Sequence, residues 1–126
     1  MHTDFINEII KACERAFFVL GVSDLKFRPM RRRKPVNPKK GYVLGRTNLK
    51  TGLITIDVLT AVKREPKKVS AILRILCHEI AHHQKRPFLA RYKRKIITRQ
   101  HYPEFYKQVN ENVERLRGDG ELGKYF

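Results

Sequence analysis

An α+β domain is what this sequence predicts, on three observations. Apolar residues recur at three- and four-residue steps in three separate stretches, β-rich runs lie between the first and the second, and 126 residues leave room for one core rather than two. The expectation is a single domain over residues 1–126, with an N-terminal helix, a small antiparallel sheet built on a hairpin, a central helix and a C-terminal helix.

The first helix is read over residues 5–20. Phe5, Ile9, Ala12, Cys13, Ala16, Phe17 and Leu20 form one stripe, and Gly21 stops it. Leu25, Phe27 and Pro29 alternate as a short strand would. Residues 28–40 hold three prolines, which rules out a helix or a central strand, so a basic surface loop is expected there. Residues 41–47 and 53–57 are β-rich and are joined by five residues ending in Gly52, which reads as a hairpin. Pro66 suits the first turn of a helix, and Val69, Ile72, Leu73, Leu76, Ile80 and Ala81 carry the pattern on to about Gln84. Residues 86–100 read as a basic connection carrying Pro87. The last helix starts near Pro103, with Phe105, Val109, Val113 and Leu116 on one side and Gly118 as its stop. Residues 119–126, with three glycines from Gly118 onward and a terminal aromatic pair, are expected to be an irregular tail, frayed or folded back over a cleft.

Composition narrows the function classes. No apolar run approaches the ~20 residues that span a bilayer, and the N-terminus lacks a basic n-region and cleavage site, so a cytoplasmic protein with no membrane role is expected. Cys13 and Cys77 are too few for a disulfide framework and read as buried small hydrophobes. The formal net charge of +16 is the unusual feature. Such an excess fits either a polyanionic partner, above all nucleic acid, or a solubilising surface.

The central helix carries His78-Glu79-Ile80-Ala81-His82, an H-E-x-x-H motif. At 100° per residue, His78 and His82 share a face one turn apart, so two imidazoles can reach one zinc ion. Glu79 is turned about 100° from His78, from where its carboxylate reaches a water on the metal without having to ligate it. With five histidines and eight glutamates in the chain, a random ordering gives this pattern about once in a hundred sequences. A catalytic zinc takes three protein ligands and keeps one open position. His101, just before the last helix, is a candidate third ligand, and Glu104 in that helix's first turn is another. His101 is favoured because a third imidazole acidifies bound water more strongly than a carboxylate would, and because Glu104 is already explained by the helix dipole. His83 is turned away from His82 and reads as a supporting or surface residue.

These residues resemble the small zincin-type metallopeptidases, in particular the SprT-like and WLM families and the compact minigluzincins. The likeness runs in order over about residues 41–116. It takes in Gly45-Arg46-Thr47, Leu53-Ile54-Thr55-Ile56, His78-Glu79-Ile80-Ala81-His82 and His101-Tyr102-Pro103-Glu104-Phe105. In the SprT-like and WLM families an H-G-P-x-F-like segment gives the third zinc ligand from its histidine, and here Tyr102 replaces the glycine. The resemblance implies a compact zincin-like fold, a Zn²⁺ cofactor and peptide-bond hydrolysis. For the SprT-like branch it also implies action on proteins attached to DNA. No cysteine-rich zinc ribbon follows the catalytic helices, so nucleic-acid binding would fall to the domain's own surface. Metal-dependent endoribonuclease-like proteins with H-x-x-x-H-x-x-x-x-x-H match less well, since Phe88 stands where their third histidine would be.

Two readings of function follow. In one, His78, His82 and His101 hold Zn²⁺, Glu79 is the general base, and a protein or peptide substrate adds as a strand along residues 41–47, with Tyr102 or Tyr106 available to the oxyanion. In the other, the chain is a basic nucleic-acid-binding module with a structural or vestigial zinc. Its phosphate contacts would be Arg31, Arg32, Arg33, Lys34, Lys39, Lys40, Lys67, Lys68 and the cations of residues 85–99, among them Lys93, Arg94 and Lys95, with Tyr92 stacking on a base. A structural site has no need of a carboxylate beside its first histidine, so Glu79 favours the enzyme.

Overall fold

Helix α1, Thr3–Leu20, presents Ile6, Ile9, Ala12, Cys13, Ala16, Phe17 and Leu20 as one buried stripe, the face its spacing predicts except that Ile6 is buried and the expected Phe5 is half-buried. The helix ends where Gly21 turns to φ +70°. There the Val22 amide donates to the Phe17 carbonyl and the Gly21 amide to Phe18, a closure that needs a left-handed residue. The computed structural model describes residues 3–30, 35–37, 39 and 44–126.

Three strands follow: β1, Lys26–Met30; β2, Gly45–Thr47; and β3, Leu53–Asp57. Their order is β1-β3-β2. The hairpin is present, with β2 antiparallel to β3 and Gly45 facing Ile56. The first strand departs from the expected antiparallel sheet, because β1 runs parallel to β3, with Phe27 opposite Ile54. Alternation in a sequence fixes which face a residue takes and carries no information on strand direction. Ile54 and Ile56 are fully buried on the inner face.

Helix α2, Val69–Gln84, begins three residues after Pro66. Pro66 instead bridges to Leu59, and the Lys67 amide donates to the Val58 carbonyl, so these residues extend the sheet side before the helix can start. Helix α3, Pro103–Arg117, starts at the expected proline and ends at Gly118. Helix α2 lies between the sheet and α3, with α1 packed on β1 and on both other helices. Ile72, Leu73, Leu76, Cys77 and Ile80 are consequently fully buried. Both cysteines are free and buried, and burial pushes the Cys77 thiol up to about 12.

Residues 86–100, expected as a connection, contain a second sheet. Strands β4, Phe88–Tyr92, and β5, Lys95–Arg99, pair antiparallel with each other alone. Their turn is Lys93-Arg94, both at positive φ (48° and 66°), and it offers none of the glycine or asparagine by which such turns are recognised. The tail also differs from expectation. It holds a 3₁₀ turn over Gly123–Tyr125, and Leu122 is buried. The Asp119 carboxylate accepts from the Glu121 and Leu122 amides and from the Arg15 guanidinium, while Arg74 and Arg117 lie over the Phe126 ring. Among the described residues no helix is long and apolar enough to cross a membrane.

Candidate metal centre

His78 and His82 stand one turn apart on α2, and His101 stands two residues before α3. Because α3 packs along α2, the start of α3 delivers His101 opposite the motif. The ring centroids are 5.1 Å apart for His78 and His82, 5.2 Å for His78 and His101, and 5.0 Å for His82 and His101. One nitrogen from each ring can be chosen so that all three lie within 4.8 Å of one another, a group that could hold a metal ion. Glu104 is exposed and falls outside this group.

Phe105 sits beneath the cluster. It is fully buried, and its ring lies 5.0 Å from His78, 4.5 Å from His82 and 5.1 Å from His101. An apolar floor gives the rings no competing hydrogen-bond partner and limits their rotation. On the open side the Tyr106 ring stacks on His101 at 6.1 Å. Tyr102 does not face the cluster. Its hydroxyl donates to the Arg86 carbonyl at 3.0 Å and its ring meets Phe88 at 5.0 Å, which ties the base of the β4–β5 ribbon to the start of α3.

The cluster opens into a cleft of about 410 Å³. Gly45, Arg46, Thr47 and Leu49 form one wall and the three histidines with Glu79 the other, while Pro87 and Gln100 close the ribbon end. No residue of 119–126 lines it, so the tail is not folded over the cleft. Glu79 and His82 are each 7% exposed. The walls come close at Gly45: a Cβ there would lie 3.0 Å from Ile75 Cγ2 and 3.4 Å from Glu79 Oε1. His83 points to the sheet wall and shares a hydrogen bond with the Thr47 hydroxyl.

Burial dominates the electrostatics. It pushes the Glu79 carboxyl up to about 7, since a charge there loses water without gaining a cation. Burial, then the neighbouring imidazoles of His78, His101 and His83, bring His82 down to about 4. His78 is lowered by burial and then by His101. Both shifts favour the neutral ring, the form in which imidazole binds a metal.

Two groups escaped the sequence reading. Asn112 is fully buried on α3, donates to the Cys77 carbonyl at 3.2 Å and to Gln84 Oε1 at 2.7 Å, and accepts from Gln108 Nε2 at 3.0 Å. It clamps α3 to α2 on either side of the histidines, and only a polar residue inside an apolar stripe could have signalled it. Asp57, also fully buried, is paired with Arg64 at 2.9 Å, and its carbonyl accepts from Lys67 Nζ at 2.7 Å. Lys67, expected on a phosphate, is half-buried with its ammonium on that carbonyl. Of the other cations expected on nucleic acid, Arg31, Arg32, Arg33, Lys34 and Lys40 lie outside the described residues, whereas Lys93, Arg94 and Lys95 are exposed at the ribbon tip.

No family model and no curated protein matches the chain. Among solved structures it is similar to the crystal structure of the metallopeptidase zymogen of Pyrococcus abyssi abylysin, at 21% identity and a TM-score of 0.47, over 93% of this chain and 87% of that one.

Proposed function

We propose that the chain is a zinc-dependent peptidase in which His78, His82 and His101 hold the metal and Glu79 is the general base. The observation that carries this reading is the convergence of three imidazoles beside a buried carboxylate in an open cleft. The donor set suits zinc, because three neutral nitrogens leave the fourth tetrahedral position to water or substrate. When bound, the zinc supplies Lewis acidity that polarises the scissile carbonyl and lowers the pKa of water.

The chain's own groups do the rest. Glu79, held near neutrality by burial, takes a proton from the attacking water as its oxygen bonds to the carbonyl carbon. It then returns that proton to the amide nitrogen as the C–N bond breaks. Strand β2 orients the substrate. The Asp57 amide donates to the Leu44 carbonyl and the Asn48 amide to Leu53, so by the alternation of an antiparallel ladder Arg46 also bonds towards β3. The backbone groups of Gly45 and Thr47 then face the free edge, where an extended peptide can pair without regard to its sequence. With no side chain at Gly45, that peptide backbone and the Glu79 carboxylate can approach each other.

Elemental analysis combined with casein digestion tests the reading. Stoichiometric zinc in both wild type and Glu79→Gln, with digestion by wild type alone, is the expected result. A wild type that holds stoichiometric zinc and leaves casein and other unfolded proteins intact would overturn it.

A further inference from the structure

The β4–β5 ribbon is set between the second and third histidines and, beyond the Tyr102 contacts at its base, packs on no other strand or helix among the described residues. Leu89 and Ile96 are 72% and 70% exposed, and Phe88, Tyr92 and Ile97 are exposed as well. From Lys85 to Tyr102 the chain carries seven Lys and Arg and no acidic residue. The strand register divides the ribbon into two faces. Phe88, Ala90, Tyr92, Lys95, Ile97 and Arg99 share one, and Leu89, Arg91, Ile96 and Thr98 share the other.

The tip is the second observation. A two-residue turn with positive φ at both positions is the place for Asn-Gly, and β-carbons there are strained. Lys93 at φ 48° and Arg94 at φ 66° occupy it instead, with Lys93 Nζ 5.3 Å from the Tyr92 ring centre. Two cations stand at the turn of the only free hairpin among the described residues, where local conformation favours Asn, Asp and Gly.

We infer that this ribbon is a binding arm for duplex DNA, entering the major groove with its Lys93-Arg94 tip and setting Arg91, Lys95 and Arg99 against the flanking phosphates. The dimensions agree. Two strands about 4.8 Å apart and about 17 Å long fit a groove about 12 Å wide and 8.5 Å deep, which admits a two-stranded ribbon. The major groove of duplex RNA is too deep and narrow for it. An arm for lipid would gather its apolar residues on one face or at its tip, whereas here cations occupy both faces and the tip is entirely basic. A second copy of the ribbon is opposed by five like charges on each. This inference stands apart from the peptidase reading, since it uses neither the histidines nor Glu79.

Fluorescence anisotropy on a short mixed-sequence DNA duplex tests it, with full-length protein. Lys93→Asn combined with Arg94→Gly places the preferred residues in the turn, so the variant should keep or raise its melting temperature. Its DNA affinity should fall about tenfold at low salt, and its salt dependence should lose nearly one log unit per tenfold salt for each cation removed. Lys11→Gln combined with Lys107→Gln removes the same charge from exposed positions elsewhere and should change affinity less than about twofold. Equal losses in the two variants would overturn the inference, because net charge alone would then explain binding. It would be overturned equally by a wild type that fails to bind the duplex at low salt, or that binds duplex RNA or phosphatidylserine vesicles as tightly.

Discussion

Phe105 touches all three imidazoles, so it controls how their nitrogens converge. Phe105→Ala removes that floor and should cost about 3–5 kcal/mol of stability in urea unfolding. Phe105→Leu should retain most of the stability while weakening zinc retention against a chelator, which separates positioning from packing. At the neighbouring positions His101→Ala should cost far more zinc affinity than Glu104→Ala, measured by competition with a chromogenic chelator. The reverse order would move the third ligand to Glu104. The ligand candidates were legible in the sequence because their chemistry depends on residue type and helical spacing, which a sequence states outright. Phe105 was read as one of an apolar stripe and as the last residue of the His101–Phe105 segment, and its place under the rings was not, since which of four stripe residues meets the histidines is set by the crossing of α3 on α2.

The helices were legible for the same reason as the motif: their apolar residues repeat with the period of the element, and Gly21, Pro103 and Gly118 mark the ends. The sheet was less so. Pairing partners and strand direction come from the whole chain, and β1 took the parallel orientation that no local pattern records. The β4–β5 ribbon was missed because its turn lacks Gly and Asn and because Leu89, apolar between Phe88 and Ala90, breaks the alternation of apolar and polar positions. Asn112 shows what element-level contacts decide. Replacing it with Ala leaves the Gln84 and Gln108 side chains and the Cys77 carbonyl without its groups, and should destabilise the chain by about 1–3 kcal/mol in urea. Activity should fall further than stability alone accounts for, since α3 carries the third histidine. An Asn112→Ala protein as stable and as active as wild type would show that the clamp is dispensable.

Across the whole molecule the tail is held by charge. The hydrogen bond from Arg15 holds the Asp119 carboxyl below its ordinary 3.8. A carboxyl held low in the folded state contributes stability that is present above the unfolded value and is lost as pH falls through the lower folded one. Stability should therefore decline in acid below about pH 4, and Asp119→Asn should make that decline shallower, as urea midpoints across the acid range would record. The ribbon is the opposite case, an element whose packing is almost wholly its own. A two-stranded hairpin by itself is marginal in water, so its strands can separate while α1, α2 and α3 stay folded. Hydrogen exchange should then resolve two populations of amides, with those of β4 and β5 exchanging orders of magnitude faster than those of α2. A segment that melts alone adds little to the cooperative unit, and residues can be inserted or removed between Phe88 and Arg99 in facing pairs at almost no cost to the core. The spacing between His82 and His101 is thus set by the length of an arm rather than by the geometry of the site.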